Sequence, residues 1–310
     1  MRRIVLRCFL LFVGLLAGVV AGETALRILK PPTSSGGIKQ TLFPVGQLTD
    51  YTPDDECGYL PKINGAAYGA QGCLYNKYSL EKTPGKTRVL FVGDSVTHRA
   101  RIIEPLRKLY GEKSFEYWNA GVESFNTAQE VVLFRRYNHL IKPDLVVLTF
   151  HNNDFMQTPL VYRENGKLQL LTPLHDRNHI NTFLFEYSWI YRCYVGRTWT
   201  ADQEEKAVRV RQNLQELNDL VRAAGGRLKV VLLPLMKPSK DYDPGEKWSR
   251  EHSLSIVRDL KLDSIDLTPS LEEMAGEKKP LEETAGDYWH PNQEVADRFA
   301  RVLYQQDLLK

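Results

Sequence analysis

Short apolar runs alternate with amphipathic stretches from residue 87 to the end of the chain. Residues 89–92 form a continuous apolar run between Pro84-Gly85-Lys86 and Gly93, which is typical of a strand covered on both faces in a parallel sheet. The pattern predicts five strands in total, over residues 88–92, 115–118, 144–150, 228–235 and 264–267.

Helical patterns separate these strands. Thr127-Ala-Gln-Glu130 has the spacing of a capping box and predicts a helix to about residue 140, and Thr200-Ala-Asp-Gln203 predicts another. Gly225-Gly226 ends the second, whose apolar face carries Ala207, Val210, Leu214, Leu217 and Val221.

The last helix is predicted to start at Pro291-Asn292, with Val295, Phe299, Val302 and Leu303 inward. Strands that alternate with helices imply right-handed crossovers. The predicted fold class is therefore α/β, a three-layer α/β/α sandwich with a mostly parallel five-stranded sheet, plus an N-terminal membrane helix.

The N-terminus is basic and then apolar. Arg2, Arg3 and Arg7 precede fifteen uncharged residues, 8–22, which Glu23 ends. A membrane span needs about 17–25 apolar residues, so a secretory signal cleaved after Val19-Val20-Ala21 is one interpretation. The other interpretation is an uncleaved membrane anchor from residue 4 to about residue 26. A span of this length is possible because the long side chain of Arg7 can reach from the apolar core to the lipid headgroups.

We expect the anchor, as one continuous helix from about residue 3 to residue 29 in which Glu23 and Arg27 pair four residues apart. The arginines keep the N-terminus in the cytoplasm, so the body of the protein is extracytoplasmic under either interpretation.

Composition divides the rest of the chain. Residues 1–30 are the predicted signal-anchor segment, 31–86 a linker and irregular lead-in, and 87–310 a single domain with an insertion at 155–199. Residues 31–52 are rich in Pro, Gly, Ser and Thr. The aromatic-rich insertion is either a lid or wall that contacts sugar or lipid, or a small extra helix packed onto the core.

Charge and cysteine content narrow the function. A net charge of +3 without a basic stripe argues against a nucleic-acid partner. Cys57 and Cys73 either close a disulfide loop or are two unpaired buried thiols. No CxxC occurs and nothing completes the faint metal pattern of His175, Asp176 and His179, so we predict no metal and no cofactor.

Polar side chains follow the predicted strands. Gly93-Asp94-Ser95 follows the first strand, Asn119-Ala-Gly121 the second and His151-Asn-Asn-Asp154 the third, and residues 286–292 read GDYWHPN. In a doubly wound sheet these loops converge at one edge. Taken alone, Ser95 is either the N-cap of the next helix or a reactive residue at that edge.

Together these stretches resemble the SGNH/GDSL hydrolase superfamily, in its extracytoplasmic, membrane-linked branch. Gly93-Asp94-Ser95 matches its GDS block, Gly121 its second-block glycine, and Asp287-Tyr-Trp-His290 its DxxH block. Asn153-Asp154 matches only the end of GxND, because His151 stands at the glycine position. The resemblance covers about residues 87–308.

The resemblance implies a serine nucleophile, Ser95, with His290 as its base and Asp287 orienting the imidazole. It also implies an oxyanion hole made by the amides of Ser95 and Gly121 and the side chain of Asn153. Asp94 and Asp154 are assigned to local structure.

The implied activity is that of a serine esterase that hydrolyses or transfers an O-acyl group, in first place acetyl on an envelope or exported polysaccharide. A lipid ester is the alternative substrate. A non-catalytic carbohydrate-binding or assembly module on the same fold is the alternative function, although such a module has no need of all four of Ser95, Asn153, Asp287 and His290. No oligomeric state follows from the sequence.

Overall fold

The computed structural model describes residues 2–29, 38–40, 50–164, 167–173, 180–198, 203–277 and 279–310. The chain divides into two compact units. The small unit comprises Met1–Gln47 and Gln157–Asp202, and the large unit comprises Leu48–Met156 and Gln203–Lys310.

The helices and strands are numbered in chain order. The strands are β1 (Ile38–Gln40), β2 (Tyr51–Asp54), β3 (Gly58–Pro61), β4 (Thr87–Gly93), β5 (Phe115–Gly121), β6 (Leu145–Phe150), β7 (Leu160–Glu164), β8 (Lys167–Pro173), β9 (Arg227–Leu232) and β10 (Asp263–Asp266). The helices are α1 (Arg2–Leu29), α2 (Ser95–His98), α3 (Ile103–Tyr110), α4 (Thr127–Arg136), α5 (Thr182–Tyr187), α6 (Trp189–Thr198), α7 (Gln203–Ala223), α8 (Pro244–Asp259), α9 (Thr268–Gly276) and α10 (Gln293–Gln305).

A five-stranded sheet, ordered β10-β9-β6-β4-β5, forms the centre of the large unit, and all of its pairings are parallel. Val89 and Phe91 pack with side chains of α3, α9 and α10 on one face. Leu90 and Val92 point to the other face, because side chains alternate along a strand, and there α4 and α7 contact the sheet. The predicted three-layer α/β/α sandwich is confirmed.

The strand order reverses at β4. The chain runs from β4 to the edge strand β5 and then returns past β4 to β6. The loops that follow β4 and β6 therefore leave the sheet edge in opposite directions, and the crevice between such loops is where open α/β sheets bind ligands.

One predicted helix start is moved by one residue. Asn126, not Thr127, caps α4: its Oδ1 accepts the Gln129 amide at 3.2 Å, and Gln129 Oε1 accepts the Asn126 amide at 3.3 Å. Glu130 is then free of any capping role and is buried. α7 begins at Gln203, and residues 200–202 of the predicted capping box lie outside the described residues.

Cys57 and Cys73 are buried, free thiols, so the disulfide interpretation is wrong and the thiol interpretation holds. Cys57 Sγ lies 3.3 Å from Asp54 Oδ1, and Cys73 Sγ lies 3.6 Å from Asn138 Nδ2. Burial raises the pKa of both thiols, and the Asp54 charge raises that of Cys57 further. Both side chains fill core positions as inert thiols.

The small unit contains a three-stranded antiparallel sheet, ordered β1-β8-β7, and the helices α1, α5 and α6. Part of the predicted linker, residues 38–40, is thus a strand paired with the insertion. The small core contains Leu160, Tyr162, Ile180, Phe185 and Val195. Some aromatic residues of the insertion therefore form a core of their own.

Helix α1 is one continuous helix of 28 residues, as expected, and none of its residues is buried. By length and composition it could cross a membrane, and a signal sequence near the N-terminus has the same properties. The expected pair forms, with Arg27 Nε 2.9 Å from Glu23 Oε1.

Candidate active site

Ser95 is the first residue of α2, directly after β4. The helix is capped by Asp94, whose Oδ1 accepts the Val96 amide at 2.9 Å. The capping role therefore belongs to Asp94, and the Ser95 hydroxyl makes a different contact. Its Oγ lies 2.8 Å from His290 Nε2, although the two residues are 195 positions apart in the chain.

Asp287 holds the other nitrogen of this imidazole. Asp287 Oδ2 lies 2.7 Å from His290 Nδ1, and Asp287 Oδ1 accepts the Trp289 amide at 3.1 Å. Partial burial acts to raise the pKa of Asp287, but hydrogen bonds from His290 and from the Trp289 amide outweigh it and lower that pKa below its ordinary value. The carboxylate is ionised at neutral pH.

These three side chains form a serine–histidine–carboxylate chain of hydrogen bonds. The carboxylate favours the imidazole tautomer with hydrogen on Nδ1, which leaves Nε2 to accept the hydroxyl proton. Both distances are within the range required for proton transfer and for activation of a serine nucleophile.

Asn153 reaches the same edge from the loop after β6. Its Nδ2 donates to Asp94 Oδ2 at 2.8 Å and to the Phe125 carbonyl at 3.1 Å. His151 does not disturb this loop: its backbone is extended (φ −132°), and its amide donates to Asp154 Oδ2 at 2.7 Å. A histidine is therefore accepted at this position without backbone strain.

Gly121 has a role different from the predicted one. Its amide donates to Asn119 Oδ1 at 2.8 Å and is not available to a substrate in this structure. A Cβ at Gly121 would lie 2.2 Å from His98 N and 2.6 Å from Thr97 C, both in the α2 backbone. The glycine is required because α2 packs directly against the end of β5.

The backbone amides of Ser95 and Ser124, near these strand ends, are among those for which the part of the chain that the structure describes offers no acceptor. Ser124 adopts a left-handed conformation (φ 60°) in the loop after β5, next to the Phe125 carbonyl that Asn153 contacts. Sequence reasoning missed Ser124 because serine gives no signal for this conformation.

A buried acidic pair lies close to Asp94. Glu130 and Asp154 are both buried, and neither oxygen of the Glu130 carboxyl has a hydrogen-bond partner within the described ranges. Burial raises the pKa of Glu130, and the negative charges of Asp154 and Asp94 raise it further. Burial likewise raises the pKa of Asp154, so the pair holds protons that exposed carboxyls would lose.

Two exposed aromatic residues lie between Asp287 and His290 in the sequence. Tyr288 is 42% exposed and Trp289 is 41% exposed. The Trp289 ring lies 5.1 Å from the ring of buried His151, and the Lys237 ammonium lies 4.9 Å from the Tyr288 ring. The residues of the DxxH block thus supply exposed rings that sequence reasoning did not single out.

The described residues contain no group of three His, Cys, Asp or Glu side chains that could hold a metal ion. The pattern of His175, Asp176 and His179 lies outside the described residues.

No protein-family profile matches the chain. No curated protein matches it significantly. Several solved structures have a similar path of the main chain. One is an acetyl xylan esterase, AlAXEase, with 15% sequence identity and a TM-score of 0.47; the match covers 71% of this chain and 99% of that one.

An acetylxylan esterase from Geobacillus stearothermophilus has 15% identity and a TM-score of 0.47, over 72% and 96%. A member of the lipolytic protein G-D-S-L family from Veillonella parvula has 13% identity and a TM-score of 0.45, over 72% and 98%. Likenesses at this level carry no conclusion on activity, and the interpretation rests on the strand order and the contacts of the site.

Proposed function

We propose that the protein is a serine esterase that acts through an acyl-enzyme on Ser95. The observation that carries the proposal is the chain of hydrogen bonds from Ser95 through His290 to Asp287, at the point where the strand order reverses. A binding module has no use for an imidazole fixed between a hydroxyl and an ionised carboxylate.

The residues support two half-reactions. His290 Nε2 takes the Ser95 proton while Oγ bonds to the carbonyl carbon, and the resulting imidazolium gives that proton to the leaving alcohol as its bond to carbon breaks. Water then attacks the acyl-enzyme, with His290 again taking the proton, and the acid leaves as Ser95 is restored. A sugar hydroxyl in place of water turns hydrolysis into transfer.

The tetrahedral intermediate carries an oxyanion that needs donors. The Ser95 amide is free to provide one, and we assign a second to the Ser124 amide in place of that of Gly121. Asn153 is the third, once one of its amide hydrogens turns from the Phe125 carbonyl to the substrate. One such donor contributes about 3 kcal/mol of transition-state stabilisation.

The surroundings of the site support one substrate class over the other. The exposed rings of Tyr288 and Trp289 offer flat, amphipathic surfaces beside the triad, which suits an acylated carbohydrate more than a flexible lipid chain. We assign the enzyme to the extracytoplasmic side of a membrane, anchored by α1, where an acetylated polysaccharide is its substrate.

Ester hydrolysis by the full chain in detergent tests this proposal. Replacement of the nucleophile, Ser95→Ala, should lower kcat for p-nitrophenyl acetate by on the order of 10⁴-fold or more. The control Ser114→Ala changes an exposed serine of the same unit and should retain the wild-type rate. Equal rates in both variants would reject the esterase, and a faster reaction with a long-chain ester than with an acetylated oligosaccharide would favour the lipid substrate.

A further inference from the structure

Helices α5 and α6 expose an apolar face in the small unit. Its largest members are strongly exposed, with Phe183 at 68%, Tyr187 at 59% and Tyr194 at 53%, and Leu184 and Ile190 extend it. The opposite sides of the same helices supply Phe185 and Val195 to the small core. The pair of helices thus has one side packed into the small core and another side that carries large, exposed side chains.

This pair of helices is fixed to the end of α1. Glu23 accepts the amides of Trp189 at 2.8 Å and Ile190 at 3.1 Å, and also the Ser188 hydroxyl at 3.1 Å. The Glu23 carboxylate therefore caps the N-terminus of α6, where an anion is stabilised by free amides and the helix dipole.

Two more contacts fix the position of α5 and α6 along the axis of α1. Arg27 donates to the Tyr187 carbonyl at the end of α5. Ile190 Cδ1 lies 3.7 Å from the position of a Cβ built on Gly22, the last of the fifteen uncharged residues. The first turn of α6 therefore lies beside α1 where its uncharged stretch ends.

The level on α1 at which α6 begins is also the level expected for the boundary of a bilayer. At 1.5 Å per residue the uncharged stretch is about 22 Å long, shorter than the roughly 30 Å hydrocarbon core of a bilayer. Glu23 must then lie close to the lipid, and charges near lipid are tolerated when they are paired. Arg27 and the α6 amides provide that pairing.

We infer that α5 and α6 form a membrane-interface surface, with Phe183, Tyr187, Ile190 and Tyr194 resting at the boundary between lipid headgroups and acyl chains. The inference rests on the anchoring role of α1 in the proposed function. Tyrosine and other amphipathic rings concentrate at this depth, and helices with one apolar face lie in its plane. Besides the span, the small unit thus has a second attachment to the same bilayer.

Quenching of single added tryptophans by brominated lipid tests the inference. The full chain is placed in nanodiscs, one copy per disc, with and without bromine on the acyl chains. The variants are Tyr187→Trp and Tyr194→Trp on the proposed surface, Phe12→Trp inside α1 as the positive control, and Tyr304→Trp on α10 as the exposed negative control. The emission that each variant adds to the wild type is compared between the two lipids.

Bromine should remove most of the emission added at positions 187, 194 and 12 and leave that at 304 unchanged. Emission at 187 and 194 that is as insensitive to bromine as emission at 304, with position 12 still quenched, would overturn the interface surface and leave the anchor intact. Unquenched emission at position 12 would overturn the anchor and the inference together. Ester hydrolysis of the same samples reports on the esterase separately.

Discussion

Asp94 joins two parts of the site that are distant in sequence. One carboxylate oxygen caps α2 and so orients Ser95, while the other holds the amide of Asn153. The residue does more than shape a turn, because the direction in which Asn153 points depends on its charge and its acceptor oxygens.

Asp94→Asn should keep the cap of α2 but lose the oxygen that accepts the Asn153 amide. We expect this loss to lower kcat by about 10- to 10³-fold, as the loss of one oxyanion donor does, with little change in KM. The control Asp243→Asn alters the N-cap of α8 in the same way. Within the described part of the chain its carboxylate makes no contact with Ser95, Asn153 or His290, so the substitution should leave kcat unchanged. Steady-state kinetics of Asp94→Asn, Asn153→Ala and the double variant decide the case. Additive losses would show that the two residues act independently.

The buried Glu130 carboxyl should make stability depend on pH. A carboxyl with a higher pKa in the folded chain binds more protons when folded, so the free energy of unfolding falls as pH rises from the ordinary pKa, 4.5, towards the raised one. Glu130→Gln removes this titration and should stabilise the protein at neutral pH, by a margin that grows by up to about 1.4 kcal/mol per pH unit.

Urea unfolding at pH 5, 6, 7 and 8, followed by tryptophan fluorescence, measures this margin. The control Glu251→Gln replaces an exposed carboxyl on α8, and its free energy of unfolding should depend on pH in the same way as that of the wild type. A Glu130→Gln margin that is constant with pH would mean that Glu130 is ionised in the folded chain.

The motifs that resemble the SGNH/GDSL superfamily singled out Ser95, Asp287 and His290, and the structure places these three side chains in hydrogen-bond contact. The Gly121 amide was expected to face the substrate, whereas in this structure it donates to the Asn119 side chain, a contact that the sequence pattern does not indicate. The left-handed turn at Ser124 and the outward exposure of Tyr288 and Trp289 have no signal in residue type alone.

At the scale of elements, contact between α2 and β5 fixes the position of Ser95, the proposed nucleophile. Gly121→Ala would place a methyl group within 2.2 Å of the His98 nitrogen, and backbone atoms cannot yield as a side-chain end can. The substitution should cost about 1–3 kcal/mol of stability and displace α2, with a loss of esterase activity.

Thermal unfolding and ester hydrolysis of Gly121→Ala measure both effects. Gly276→Ala is the matched control, since a Cβ at the end of α9 meets no atom within 4 Å. Wild-type stability and activity in Gly121→Ala would show that α2 moves freely relative to β5.

The strands of the large sheet were predictable because parallel strands are buried on both faces and read as continuous apolar runs. The small sheet was not, since β1 has only three residues and pairs with a distant hairpin. The α4 start moved by one residue because Asn126 and Thr127 are both good caps, and the side chain of Gln129 favours Asn126.

At the scale of the whole molecule, the fate of α1 determines where the proposed esterase acts. We expect it to stay attached, because its polar end is built into the small unit through Glu23 and Arg27. The full-length mass should then be found in the membrane fraction. Ala21→Leu, which blocks cleavage after a small residue, should change the mass only by the substitution itself and should leave the fraction unchanged.

Fractionation of the tagged protein followed by intact mass spectrometry makes this measurement. A mature chain that starts at Gly22 in the soluble extracytoplasmic fraction would mean that α1 is a signal sequence and that the protein is secreted.

The central claim is the acyl-enzyme on Ser95, and rapid-quench mass spectrometry of the full chain with p-nitrophenyl acetate tests it most directly. We predict one acetyl group on the peptide that contains Ser95, formed within the first turnover and lost on dilution into buffer. The group should be absent from Ser95→Ala, and it should form more slowly in Asp287→Asn by about 10⁴-fold because the imidazole tautomer is no longer fixed. Turnover without any acetyl group on Ser95 would contradict the account.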